Sequence, residues 1–194
     1  MGEVEDGRTV GAEERPGDVD GRAVGADAQT GAAVGRLSIE PATEEDVPLI
    51  LRFVKELAEY ERLAEAVTAD EALLRAELFG EHAAEVLIAR RGAEPVGFAL
   101  YFYNFSTFVG RRGLYLEDLY VRPEERGRGT GRALLARLAR VASERGCRRV
   151  EWAVLDWNEP AVGFYKKLGA RPMDDWTVFR LEGDALERLA ESAS

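Results

Sequence analysis

The chain has 194 residues, of which 46% are hydrophobic and 32% charged, and its formal net charge is −10. This length and apolar content predict one folded domain, and the negative charge argues against nucleic acid or a membrane as the main partner. A single cysteine, Cys147, and a single histidine, His82, argue against a disulfide or a Cys/His zinc site. The sequence contains no transmembrane-length apolar run and no secretory signal, which predicts a cytoplasmic protein.

The first 35 residues differ in composition from the rest of the chain. They contain eight acidic residues and three arginines, and they lack aromatic residues, leucine and isoleucine. Such a segment buries too little apolar area to offset the entropy of ordering it. We therefore expect residues 1–35 to be a disordered acidic tail rich in glycine and alanine, and residues 36–194 to be the folded domain. An interaction role for the tail and a start codon placed too early both remain open.

Strands and helices are interspersed along the folded part. A strand at 37–40 precedes an amphipathic helix at 44–61, and a capping box at Thr68–Glu71 opens a second helix that ends near Gly80. Apolar and β-branched runs predict five further strands, at 85–90, 96–103, 114–121, 150–155 and 176–181. Helical spacing of apolar residues predicts three further helices, at 131–145, 160–168 and 184–191. This order indicates a single α/β domain with a mixed sheet.

The segment between strand 114–121 and helix 131–145 is rich in glycine and arginine. Its glycines, at 127, 129 and 131, let the backbone approach a ligand because no Cβ intervenes. The loop leads into a helix N-terminus, where free N–H groups favour an anion, and three arginines add positive charge. It matches neither a P-loop nor a Rossmann fingerprint. We interpret it as a phosphate or pyrophosphate cradle, with a flexible turn as the alternative.

Several motifs in the right order resemble those of one enzyme family. Arg126-x-x-Gly129-x-Gly131 matches the acetyl-coenzyme A pyrophosphate motif of the GCN5-related N-acetyltransferases (GNAT). Segments 53–61, 79–82, 116–121, 154–158 and 164–170 are similar to those of the diamine (spermidine/spermine) acetyltransferase group. The sequence of segment 154–158 is most similar to that of the thialysine-acetylating branch. The resemblance covers residues 37–190 and implies a splayed mixed β-sheet flanked by helices, a homodimer, and acetyl-coenzyme A as co-substrate without a metal.

The same resemblance implies how the coenzyme would be held. The backbone of Leu119, Tyr120 and Val121 would pair with the pantetheine arm, as an added strand does. Asn158 would contact the coenzyme from the other side. The residues implied to hold the pyrophosphate are Arg126, Gly127, Arg128, Gly129, Thr130, Gly131 and Arg132.

Two residues are implied to move protons. Tyr165 would be the general acid for the leaving thiolate, since a tyrosine of ordinary pKa, about 10, is protonated at pH 7. An ammonium must lose a proton before it attacks, and the resemblance selects Glu117 as substrate carboxylate and possible base, acting through water. Because neighbouring residues of a regular strand face opposite sides, Glu117 and Asp118 are expected to diverge. The alternatives are a packed aromatic for Tyr165 and a solvated or ion-paired charge for Glu117.

The implied substrate site is lined by acids and aromatics. Its members are Tyr60, Glu61, Glu117, Glu151, Trp152 and Asp174. Segment 105–108 lacks an acid that polyamine-acetylating members carry, and Glu151 stands where some members have histidine. Both departures favour a lysine-like or shorter amine over spermine and spermidine.

The sequence therefore predicts an N-acetyltransferase that transfers the acetyl group of acetyl-coenzyme A directly to a primary amine of a small cationic substrate. Two alternatives remain. One is a non-catalytic coenzyme A-binding protein, and the other is a protein-lysine or N-terminal acetyltransferase.

Overall fold

A computed structural model describes residues 35–193, so the predicted tail lies, apart from Gly35, outside the described residues. Within that range the strands are β1 (Leu37–Pro41), β2 (Glu85–Arg91), β3 (Glu94–Ser106), β4 (Arg111–Val121) and β5 (Val150–Trp152). The α-helices are α1 (Val47–Glu61), α2 (Glu71–Arg75, continued by a π-helical turn at Ala76–Gly80), α3 (Thr130–Glu144), α4 (Glu159–Lys167) and α5 (Gly183–Glu191). None of these helices has the length and apolarity needed to cross a bilayer.

The strands form one mixed sheet in the order β1-β2-β3-β4-β5. The first four are antiparallel, and β5 joins β4 in parallel after the crossover through α3. One face of the sheet packs on α3, through Leu134 and Leu138. The other face packs on α1, where Phe53 stacks on Phe98 with ring centroids 5.5 Å apart. The predicted mixed α/β fold is confirmed.

Local capping sets the starts of the first two helices. The Thr43 N–H donates to the Asp46 carboxylate at 2.9 Å, which confirms the predicted start of the first helical segment. The prediction of a capping box at Thr68–Glu71 is wrong. The N-cap of α2 is Asp70, whose carboxylate accepts from the Leu73 N–H at 2.8 Å. Asp70 immediately precedes the helix, so its short side chain reaches the third helical N–H and Thr68 lies outside the turn.

The C-terminal part departs most from the sequence prediction. β5 has three residues where six were predicted, and the predicted strand at 176–181 does not form. Its pattern is typical of a strand, but a strand needs a hydrogen-bonded neighbour, and no described strand pairs with it. Its apolar side chains are exposed, with Val178 at 87% and Phe179 at 90%. The closing helix is confirmed as α5, whose Leu186 and Leu189 are also exposed.

Candidate active site

β5 pairs along its whole length with the first part of β4 and then ends, which leaves an opening beside the rest of β4 that we call the wedge. The parallel pairing joins residues 114–116 to 150–152, and β4 continues to Val121 with no described strand on that edge. On the opposite edge the Arg122 N–H donates to the Val96 carbonyl at 3.0 Å. Backbone direction alternates along a strand, so the polar groups of Leu119 and Val121 point into the wedge. The wedge therefore has a hydrogen-bonding backbone along one wall.

The glycine-rich loop lies at the end of β4, where the wedge opens. Gly127 and Gly129 have φ of +74° and +85°, which favour glycine, and no atom lies within 4 Å of a Cβ built on either. Gly129 is the N-cap of α3, and its carbonyl accepts from the Ala133 N–H at 3.0 Å. The N–H groups of residues 130–132 precede this first helical bond, so they are free for a ligand. This geometry fits the predicted pyrophosphate cradle.

The three loop arginines take different positions. The Arg126 guanidinium lies 4.3 Å from the centre of the Tyr60 ring, and its Nε donates to the Val121 carbonyl at 3.0 Å. Arg128 forms an ion pair with Glu125 at 2.6 Å. Arg132 is exposed on the first turn of α3. Arg126 therefore ties the loop to the C-terminal end of α1.

A buried ion-pair network beneath the loop was not predicted from the sequence. Glu125 is only 6% exposed, and one of its carboxylate oxygens accepts from Arg91 Nε at 2.7 Å. Arg91 Nη2 also donates to the Thr130 hydroxyl at 3.3 Å. Arg91 and Glu125 are 34 positions apart, and no local pattern marks them as partners.

A β-bulge in β4 changes the face on which its acidic residues lie. The pairing with β3 passes from Leu116 to Asp118 and leaves Glu117 without a partner residue. The side chains of β4 on the α3 side are Leu114, Leu116, Leu119 and Val121, so the alternation shifts by one at the bulge. Glu117 and Asp118 therefore share the opposite face, and the expectation that they diverge is wrong. The three-residue step from Leu116 to Leu119 is the sequence signal that could have shown this.

Three carboxylates come together on that face. Burial, followed by the charges of Glu117 and Glu61, raises the pKa of Asp118 to about 6. Burial also raises the pKa of Glu61, at the C-terminal end of α1. Glu117 is exposed, whereas Asp118 is partly buried. The cluster can hold a cation and can also accept a proton near neutral pH.

Tyr165, on α4, lies close to one of these carboxylates, that of Glu61, and to Tyr60. Its ring packs on Trp152 with centroids 5.0 Å apart. Burial, followed by the negative charge of Glu61 and the proximity of Tyr60, raises the pKa of Tyr165 to about 12. The hydroxyl therefore stays protonated across the physiological range, which suits a proton donor.

Asn158 joins the two helices that border the site. Its side-chain oxygen caps α4 by accepting from the Ala161 N–H at 3.3 Å, and it also accepts from the Tyr60 hydroxyl at 3.1 Å. Tyr60 and Trp157 lie side by side, with ring centroids 6.1 Å apart. The predicted residues Tyr60 and Asn158 are thus in direct contact.

The remaining predicted residues are placed differently. Glu151 is held by Arg149 at 2.7 Å and by the Asn104 amide at 3.1 Å. Trp152 packs against Tyr165 and the α3-side core. Asp174 lies in an exposed turn, and its side chain forms no hydrogen bond or ion pair within residues 35–193.

The chain is similar to acetyltransferases over most of its described length. The model of the acetyltransferase (GNAT) family matches residues 50–170. A thialysine N-epsilon-acetyltransferase of Sus scrofa is 45% identical over 164 residues, covering 78% of this chain and 96% of the relative. An L-ornithine N5-acetyltransferase of Arabidopsis thaliana is 29% identical, covering 78% and 86%. The solved structure of an integron cassette protein from the mobile metagenome of V. cholerae is 28% identical with a TM-score of 0.68, covering 80% and 98%.

Proposed function

The chain belongs to the acetyltransferase (GNAT) family, and we propose that it acetylates the side-chain amine of a lysine-like amino acid, with Tyr165 as general acid. It is an acetyl-coenzyme A-dependent N-acetyltransferase acting on a primary amine. One observation carries the finer proposal. The wedge has a glycine-rich loop at its end, and beside it Tyr165 lies close to Glu61, which clusters with Glu117 and Asp118.

The residues around the wedge fit acetyl-coenzyme A. The backbone of Leu119–Val121 would pair with the pantetheine arm, and the loop with the first turn of α3 would hold the pyrophosphate. Asn158, at the start of α4, would border the coenzyme on the other side. Bound acetyl-coenzyme A supplies an acetyl group already activated as a thioester, so no acyl-enzyme is required.

The protein's side chains supply the proton transfers. Tyr165, which is protonated at neutral pH, donates its hydroxyl proton to the leaving sulfur. The tyrosinate then regains a proton from the attacking nitrogen, which loses its second proton as the amide forms. Glu117 and Asp118, on one face of β4, hold the substrate ammonium and accept its proton through water. Burial, followed by the charges of Glu117 and Glu61, raises the pKa of Asp118 to about 6, which suits a proton acceptor near neutral pH.

Charge placement supports an amino-acid substrate. Arg62 follows Glu61 directly, in a left-handed conformation at the C-cap of α1, and its guanidinium lies 5.3 Å from the centre of the Trp157 ring. Among the described residues no carboxylate lies within ion-pair distance of Arg62. The carboxylate cluster suits a side-chain ammonium and Arg62 suits an α-carboxylate, so both ends of a zwitterionic amino acid would be matched.

A substrate panel tests this proposal. Thialysine, lysine and ornithine, each compared with its decarboxylated counterpart, should give higher kcat/KM for the amino acid. Arg62→Gln should lower kcat/KM for the amino acids about tenfold through loss of one charge-assisted contact, and leave the diamines within about twofold. The exposed Arg75→Gln, whose ion pair with Glu44 lies elsewhere, is the matched control. Higher kcat/KM for spermine or spermidine than for the amino acids would contradict the proposal.

We further propose that the enzyme is a homodimer in which a second copy covers the C-terminal apolar face. We use this name for the exposed apolar side chains of two consecutive C-terminal segments: Trp176, Val178 and Phe179 before α5, and Leu186 and Leu189 on it. Soluble monomers seldom expose so many large apolar side chains together. Segment 176–181 has a strand pattern but no described partner strand, and α5 is an amphipathic helix with its leucines in solvent. Both need another surface to cover their apolar side chains. A two-fold contact between identical faces supplies that surface for each copy.

Charge placed on this face should separate the two copies. Val178→Glu with Phe179→Glu is expected to convert a dimer into a monomer, measured by sedimentation or light scattering. Leu73→Glu, on α2 and 55% exposed, is the control that should leave the dimer intact. A wild-type protein that is monomeric at micromolar concentration would overturn the dimer proposal.

A further inference from the structure

The glycine-rich loop is clamped at both ends by one arginine of the sheet. Arg91, the last residue of β2, is paired with Leu37 of β1 and Glu94 of β3, so its backbone is fixed in the sheet. Its Nε donates to Glu125 at 2.7 Å and its Nη2 donates to Thr130 at 3.3 Å. Glu125 directly precedes loop residues 126–129, and Thr130 directly follows them.

Both anchor residues are buried, so the clamp is part of the fold and not a surface contact. Glu125 is 6% exposed and Thr130 is 1% exposed. The second carboxylate oxygen of Glu125 accepts from Arg128 at 2.6 Å. A buried carboxylate thus lies under an anion-binding loop, where its negative charge opposes a phosphate. The positive charge of Arg91, beneath the loop, offsets the negative charge of Glu125.

We propose that Arg91 is a positioning residue for the coenzyme, which holds the loop in its pyrophosphate-binding shape and neutralises Glu125. The inference rests on the proposed function, because it takes the loop to be the pyrophosphate site. Without Arg91, Arg128 would be the remaining ion-pair partner of Glu125 and would have to balance the buried charge alone. Thr130 would also lose the contact that orients the first turn of α3.

The test compares two acetyl donors that differ in the pyrophosphate. Arg91→Met is expected to raise the KM for acetyl-coenzyme A and the calorimetric Kd for coenzyme A about tenfold, the effect of losing a hydrogen bond to a charged group, with kcat within about twofold. With S-acetylpantetheine, which lacks the pyrophosphate, kcat/KM should change less than about twofold. Arg90→Met is the matched control, because the neighbouring Arg90 forms an ion pair with Asp46 at 2.5 Å and does not contact the loop.

Two further variants separate positioning from folding. Arg91→Lys keeps the charge, but one ammonium replaces two separately directed N–H donors, so part of the loss should remain. In a Glu125→Gln background the cost of Arg91→Met should shrink, because there is no buried charge left to neutralise. An equal loss with both donors, or no loss with acetyl-coenzyme A, overturns the inference.

The wild-type protein distinguishes this failure from failure of the proposed site. If wild type uses S-acetylpantetheine as well as acetyl-coenzyme A, the loop is not a pyrophosphate site. If wild type discriminates between the donors and Arg91→Met discriminates equally well, the site stands and the role of Arg91 is wrong.

Discussion

Replacing Tyr165 with phenylalanine is expected to lower kcat at least about 100-fold, the usual range for loss of a general acid, while the Kd for coenzyme A changes less than about twofold. The substitution removes only the hydroxyl. The ring still packs against Trp152, so the helix and the wedge keep their shape. Turnover is measured by release of the thiol, and coenzyme binding by calorimetry.

Tyr103→Phe is the control for this prediction. Tyr103 lies on the α3 side of β3, and its buried hydroxyl has no hydrogen-bond partner among the described residues. Its removal should leave kcat within about twofold and leave the free energy of unfolding unchanged or slightly higher. A Tyr165→Phe enzyme with wild-type kcat would show that another group, or water, protonates the sulfur.

Asp118→Asn is expected to inactivate the enzyme and stabilise the fold at the same time. The pKa of Asp118 lies at about 6, above the ordinary 3.8. The folded protein therefore binds this proton more tightly than the unfolded chain, and the free energy of unfolding falls as pH rises from about 4 to 6. Above pH 7 Asp118 is fully charged, and the full cost of holding that charge in the folded protein lowers the free energy of unfolding. A neutral asparagine removes it, so the variant should gain about 1–3 kcal/mol at pH 8.

Activity should fall while stability rises, because we propose that this carboxylate holds the substrate ammonium and accepts its proton. We expect kcat/KM for the amine to fall about 100-fold in Asp118→Asn. In wild type, kcat/KM should decline below about pH 6 as Asp118 is protonated, and this limb should be absent from the variant. Denaturant titration and a pH–rate profile measure the two effects.

Glu117→Gln provides the comparison. Glu117 is exposed, so its replacement should lower activity with a smaller gain in stability, limited to the repulsion that its charge exerts on Asp118. An Asp118→Asn protein that is less stable than wild type at pH 8 would contradict the assignment of a buried, destabilising charge. An Asp118→Asn protein that keeps wild-type kcat/KM would show that Asp118 does not accept the proton of the substrate.

The helices and strands around the core could be predicted because local pattern and tertiary contact agree there. Helix 47–61 has its apolar face on Phe98 and Tyr120, as its spacing indicates. The segment 176–181 has an equally good strand pattern but lacks a partner strand in the described chain. Pattern indicates what a segment can form, whereas pairing depends on residues elsewhere in the sequence or in another molecule.

The residues of the candidate site could be predicted where they belong to a sequence motif. They could be predicted less well where their position depends on how the chain folds. Tyr165 and Glu61 follow from motifs and come close together in the structure. The position of Asp118 depends on a bulge, which shifts strand alternation by one residue. The partnership of Arg91 with Glu125 depends on the end of β2 meeting the end of β4, a contact that only the assembled sheet creates.

The wedge also bears on how the protein avoids aggregation. An unpaired strand edge is ordinarily a template on which another chain can add a strand. Here β3 covers one side of β4 and β5 covers the first part of the other side, so only residues 117–121 have an open edge among the described strands. A short open edge offers little length on which another chain could add a strand. If the coenzyme binds as proposed, its pantetheine arm would lie along this same stretch and cover the open hydrogen-bonding groups as an added strand would.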